Sequence, residues 1–195
     1  MAATRPPVAR PRPLAGQTKL PKCQASPSGS GLLYDGDFQL VPDIGSHYSE
    51  YFRGEPFAPG WHVAKGSVDF NGSTGWGPAA PNNACTIDLD GINPGGLRSR
   101  AFPTTPDSAY TVTFSMSGNG DCAPQNKVVE VEAAGQSAQF TWDIANGNTA
   151  QNGDWGTQTW GFTATSTSTN LALISRDPRN AACGVVVGTI SVTPG

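Results

Sequence analysis

Between Tyr110 and Ser117 the chain alternates in chemistry. Tyr110, Val112, Phe114 and Met116 fall on one side and Thr111, Thr113, Ser115 and Ser117 on the other. A period of two is the repeat of a strand that lays one face on a core and the other toward solvent. Phe140, Trp142 and Ile144 alternate in the same way with Gln139, Thr141 and Asp143, and Trp160, Phe162 and Ala164 with Thr159, Gly161 and Thr163. Residues 128–133, 171–174 and 185–192 read as further strands, and residues 32–40, 61–70, 86–89 and 97–102 as earlier ones. Turn clusters separate them, among them Asn71-Gly72-Ser73, Ser117-Gly118-Asn119-Gly120 and Asn146-Gly147-Asn148. About nine short half-buried strands with no helical period predict an all-β sandwich. No fixed repeat points to a propeller or solenoid.

Composition narrows this. Gly 24 and Pro 17 in 195 residues, with 14% charged residues, leave little material for charged amphipathic helices. No apolar run approaches the ~18 residues of a membrane-spanning helix. Residues 1–22 carry Arg5, Arg10, Arg12, Lys19 and Lys22 and no acid, whereas the remainder has 7 basic and 15 acidic residues. An acidic body argues against nucleic acid as a partner, because phosphate binding needs a basic surface. Pro6, Pro7, Pro11, Pro13, Pro21 and Pro27 make residues 1–31 an extended arm that cannot feed a central ladder, and the sandwich is expected over 32–195.

The cysteines are Cys23, Cys85, Cys122 and Cys183. None lies in a C-x-x-C pair, so zinc and redox-motif readings are weak, and wide spacing fits two disulfides in an oxidising compartment. No apolar signal core is visible near Met1. If the 110–117 strand runs antiparallel beside the last strand, Cys122 lies near Cys183. That leaves Cys23 to tie the arm to Cys85. The other two connectivities stay open.

Several stretches, taken in order, resemble the bacterial choice-of-anchor C family and related plant cell-wall proteins with galactose-binding-like domains. They include Leu32 to Phe38, Pro59-Gly60-Trp61, Ile87-Asp88-Leu89-Asp90-Gly91, Pro94-Gly95-Gly96, Phe102 to Pro106, Trp155 and Cys183 to Val192. The likeness spans roughly residues 32–193. It implies a single jelly-roll-like (galactose-binding-like) β-sandwich, secretion, residence at a cell surface or cell wall, and carbohydrate binding in some relatives. Similar domains often hold a structural calcium between an acid of the first strand and an acid of the last. Here those positions look like Gln39 and Gly188, so no metal is expected.

Catalytic signals are absent. His47 and His62 belong to no recognisable motif, no G-x-S-x-G or H-E-x-x-H occurs, and no carboxylate pair is singled out for glycosidase work. The chain reads as a non-enzyme without a cofactor. Sugar binders lay pyranose faces on aromatic rings and fix hydroxyls with polar neighbours. Trp61, Trp142 and Trp160 fall in core phase. Trp76 and Trp155 lie in Gly-rich polar stretches and are candidate platforms. Tyr48, Tyr51, Phe52 and Arg53, read as part of a long loop, are a candidate contact surface. The expected function is a secreted carbohydrate-binding or cell-wall-associated module that stacks polysaccharide on aromatics. The alternative is a structural subunit whose residues 1–31 dock on another copy or another surface protein. Asn71-Gly72-Ser73 is also a glycosylation sequon.

Overall fold

The computed structural model describes Cys23 and residues 31–55, 57–73, 84–145, 154–179 and 181–195. Thirteen strands and no helix occur among these residues. One sheet has six strands, in the order β1 (Tyr48–Phe52), β3 (Ser67–Asn71), β4 (Thr86–Asp88), β13 (Val185–Pro194), β7 (Ala109–Gly118) and β10 (Gly156–Thr163). The facing sheet has five, in the order β2 (Trp61–Lys65), β5 (Gly96–Ser99), β12 (Leu171–Ser175), β8 (Asn126–Ala133) and β9 (Gln136–Asp143). A short ribbon pairs β6 (Phe102–Pro103) with β11 (Ser168–Thr169).

The alternation seen in the sequence fills the space between the sheets. Val112, Phe114 and Met116 of β7 and Val187, Ile190 and Val192 of β13 face Val129 and Val131 of β8, Leu171 and Leu173 of β12 and Leu97 of β5, all fully buried. Each such side chain contributes about 1.5–3 kcal/mol through burial. Phe114 meets Phe140 of the opposite sheet edge-on at 5.3 Å. Phe38 closes one end, with its ring 5.8 Å from Trp61 and 6.2 Å from Phe57. Along one flank the Gln136 side chain bonds both the N–H and the C=O of Thr163, joining β9 to β10.

Four expected elements differ, one of them residues 97–102, which divide into β5 of the five-stranded sheet and β6 of the short ribbon. Residues 32–40 are a run of turns rather than a strand. Asp35 and Phe38 take positive φ (56° and 55°), and Asp35 Oδ1 accepts the Leu40 N–H at 2.9 Å. Leu33 and Phe38 therefore plug the core without joining a ladder. Residues 61–70 break at Gly66 into β2 and β3, which belong to different sheets. Gly66 has φ +50°, and a Cβ there would stand 2.3 Å from the Pro94 carbonyl oxygen. The stretch read as a loop at 47–53 contains β1, an edge strand in register with β3 from Tyr48↔Asn71 to Phe52↔Ser67. Glu50 at its centre interrupts the apolar alternation by which a strand is recognised.

The disulfides are Cys122–Cys183 and Cys23–Cys85. β13 lies antiparallel beside β7 with Val185 opposite Gly118, which is the neighbourhood that brings Cys122 to Cys183. Residues 1–22 and 24–30, most of the expected arm, lie outside the described residues.

Candidate functional site

The residues picked from the sequence do not converge. Tyr48, Tyr51 and Arg53 belong to β1 and the turn after it. The Tyr51 ring is half-buried and packs edge-on against Phe57 at 5.1 Å, so part of it serves the core. Trp155 stands just before β10, at the other edge of the same sheet, with its indole reaching back over β13, three strand spacings or about 14 Å from β1. Its indole is half-buried over Gly188, and its buried Nε1 has no hydrogen-bond partner. Trp76 lies outside the described residues. One ligand site therefore cannot use Trp155 and the β1 tyrosines together unless the glycan is long. Trp61, Trp142 and Trp160 pack on the core as their phase predicts.

A different set of side chains does converge, on the outward face of the five-stranded sheet. Register places His62, Arg98, Ala172, Glu132 and Ser137 in one row across β2, β5, β12, β8 and β9. A depression of about 390 Å³ is lined there by Arg98, Glu130, Glu132, Gln136, Ser137 and Asn170, together with the 133–135 turn. Arg176 donates to Glu130 at 2.8 Å and to Glu132 at 3.2 Å, while Arg98 approaches Glu132 at 3.8 Å. Gln139 donates to Glu130 at 3.1 Å. The sequence carried a signal for this face. Glu130 and Glu132 alternate with the inward Val129 and Val131, so both acids must point out of the same sheet. No aromatic side chain from these rows joins them.

The pair Glu130 and Glu132 invites comparison with a glycosidase site, which needs one protonated carboxyl of raised pKa beside an ionised one. The Arg176 hydrogen bond, with that of Gln139, holds Glu130 well below the ordinary carboxylate range. Glu132 shares the same guanidinium. Nothing in this arrangement keeps a proton on Glu130 for a leaving group. Donors and acceptors fixed on a rigid sheet are suited instead to hydrogen-bonding hydroxyls.

A second polar cluster is sealed at the end of the sandwich beside the Cys122–Cys183 bridge. Lys127, fully buried, donates through Nζ to the carbonyls of Cys122 (2.7 Å) and Cys183 (2.6 Å). Asp88 accepts from the Asp90 and Gly184 N–H groups and the Asn119 amide, all within 2.8–2.9 Å. Burial pushes Asp88 up to about 6 against those hydrogen bonds. It pushes Asp90 up to about 8, with the charges of Asp88 and Asp177 acting in the same direction. Asp177 is raised and Lys127 lowered, again chiefly by burial. Buried among its own partners, this cluster is architectural.

Two sequence signals are tested by these contacts. The calcium suggested by resemblance does not fit. Gln39 and Gly188 supply no carboxylate, and Asp35 Oδ1 already caps Leu40. Among the described residues, the one group of three potential ligands is Cys23, Asp43 and Cys85, whose cysteines form a disulfide. The sequon asparagine, Asn71, is buried and donates to Thr86 Oγ1, so it is closed to glycosylation in the folded state.

Comparison with known proteins adds the following. A family model described as "Protein of unknown function (DUF642)" matches residues 31–193. Halomucin of Haloquadratum walsbyi (strain DSM 16790 / HBSQ001) is 30% identical over 165 residues, 83% of this chain but only 2% of that protein's length. Among solved structures, an arabinose-bound α-L-arabinofuranosidase, MgGH51, superposes with a TM-score of 0.53 at 13% identity, over 85% of this chain and 26% of the other. A family 35 carbohydrate binding module from Clostridium thermocellum gives 0.45 at 11% identity, over 75% of this chain and 98% of the other. TmCBM61 in complex with β-1,4-galactotriose gives 0.46 at 9%, over 86% and 100%. The likeness to the arabinofuranosidase, at that identity, is one of fold.

Proposed function

The chain belongs to the DUF642 family, and we propose that its sandwich is a secreted, non-catalytic carbohydrate-binding module that takes a polysaccharide across the outward face of the five-stranded sheet. The observation that carries this is the depression lined by Arg98, Glu130, Glu132, Gln136, Ser137 and Asn170. Carboxylates there accept from sugar hydroxyls, while guanidinium and amide groups donate to them. Their positions are set by the β-ladder and by Arg176, so little ordering is needed on binding. Hydrogen bonding, rather than the aromatic stacking expected from the sequence, is the mechanism this face supports. Trp155 and the β1 tyrosines are secondary contacts for chains long enough to reach a sheet edge. The two disulfides support an oxidising, extracellular setting. Kinship with the choice-of-anchor C proteins and residence at a cell wall belong to the same proposal.

The test is retention on a panel of soluble polysaccharides in affinity gels. Arg98→Ala and Glu132→Gln are each expected to weaken retention about five- to tenfold, the loss of roughly one solvent-facing hydrogen bond. The melting temperature should stay within about 2 °C, because exposed ion pairs contribute about 0–1 kcal/mol. Undiminished retention in both variants would move the site off this face.

A further inference from the structure

The geometry points to an acid-recognising subsite at the β5 end of this groove, built on Arg100 and Tyr34, which selects glycans bearing isolated uronate groups on an otherwise neutral backbone. The inference rests on the groove being the sugar site. Arg98 points out of the sheet, since its neighbours Leu97 and Ser99 face inward, and Arg100, one past the end of β5, is exposed. Arg100 directly follows β5, one residue past Ser99, whose carbonyl meets Asn170 at the rim of the depression. The Asn170 amide holds the β5 end by donating to the Ser99 carbonyl at 2.9 Å.

Arg100 differs from the other cations of this sheet. Arg176 is engaged by Glu130 and Glu132, Arg98 leans toward Glu132, and Lys65 donates to the Ser175 carbonyl. No acidic group among the described residues pairs with Arg100. Its guanidinium carbon stands over the Tyr34 ring, 3.9 Å from the centroid. Stacking of this kind orients the planar fork while leaving its N–H edge open, the geometry that receives a carboxylate in bidentate fashion.

The platform is seated by the backbone beneath it. The Arg100 N–H donates to the Gly60 carbonyl at 2.6 Å. A Cβ at Gly60 would stand 2.8 Å from the Tyr34 carbonyl oxygen and 2.9 Å from the ring, so only glycine lets the two segments meet there. Tyr34 is 43% exposed, which leaves ring surface for the sugar that carries the acid. The rest of the charge pattern sets the density of acid groups. Residues 23–195 hold 7 basic and 15 acidic side chains, so this body repels a densely charged polyanion while a sparse uronate can reach the Arg100 fork.

The experiment uses affinity gels at two salt concentrations, with the full chain, Arg100→Gln and Tyr34→Ala. The probes are glucuronoxylan, highly methyl-esterified pectin and gum arabic, each beside its carboxyl-reduced form, together with polygalacturonate. The wild-type protein should bind an acidic probe about ten- to hundredfold more tightly than its reduced form. Arg100→Gln should abolish that preference and keep the binding of the reduced form. Tyr34→Ala should lower the preference in part, and polygalacturonate should bind more weakly than the sparse probe. Equal binding of acidic and reduced forms, unchanged by Arg100→Gln, would overturn the subsite and leave the groove standing. No retention of any probe by folded protein would overturn both.

Discussion

Replacing Lys127 with methionine is expected to lower the unfolding free energy by about 3–5 kcal/mol and the melting temperature by roughly 10 °C. Methionine nearly matches the length and bulk of the lysine stem, so the change removes charge and donors more than volume. Two carbonyls, those of Cys122 and Cys183, lose the ammonium partner that a fully buried side chain brings them. The carboxyls of Asp88, Asp90 and Asp177 lose the cation whose field offsets them. Taking one member out of a buried charge cluster costs more than the cluster contributes as a whole, because the groups left behind are already desolvated. Denaturant unfolding at pH 7 measures the loss. The penalty should shrink at pH 5, where protonation supplies part of the neutralisation that the lysine provided. A loss below about 1 kcal/mol at pH 7 would mean that the acids are neutralised without it.

That lysine shows where reading a sequence stops. The strands of the sandwich were legible because their alternation is a local property, and β7, β8, β12 and β13 fall where the apolar period put them. The disulfide pairing followed from one neighbourhood, β7 beside β13. Lys127 was invisible for a physical reason. It occupies the first inward position of β8, in phase with Val129 and Val131, where a charged residue at a strand end is ordinarily solvated. Only the partners brought from residues 88–90, 119–122 and 175–184 make burial tolerable, and all but the 119–122 turn come from far along the chain. The proposed groove was hidden for a different reason. Exposed aromatic residues were sought as sugar platforms, whereas the converging groups are charged side chains of β5 and β8 and polar ones of β9 and the approach to β12. Each is unremarkable in its own segment, and the groove exists only through their register. Tyr34 was passed over because residues 32–40 read as a strand, whereas turns project the ring outward.

The folded protein is expected to be more stable at pH 5 than at pH 8 by on the order of 2–4 kcal/mol, with Asp90 the main source. Asp90 titrates near 4 when exposed and is pushed up to about 8 by burial in the fold. Between those values the native state holds a proton that the unfolded chain has released. Stability therefore falls as pH rises, by up to about 1.4 kcal/mol per pH unit for one such group. Asp88, raised to about 6, adds to the same slope in its lower part, and Asp177 shifts in the same sense. Glu130 is shifted downward, so its contribution is lost only as pH falls below the ordinary carboxylate range, outside this window. Lys127 works in the opposite sense, most strongly on the alkaline approach to its ordinary value of 10.5. Around Asp90 stand Asp88, Asp177, Ser175 and Lys127, and a protonated Asp90 can donate to Asp177 where an ionised one would face it as a second anion. Thermal unfolding from pH 5 to pH 8 should lower the wild-type midpoint by roughly 5–10 °C. Asp90→Asn keeps the shape and a donor without the titration, so it should flatten more than half of that slope and raise the midpoint at pH 8. Should Asp90→Asn keep the full wild-type slope, the proton being released lies elsewhere. Asp177 would then be the next position to substitute, since it shares both the burial and the partner.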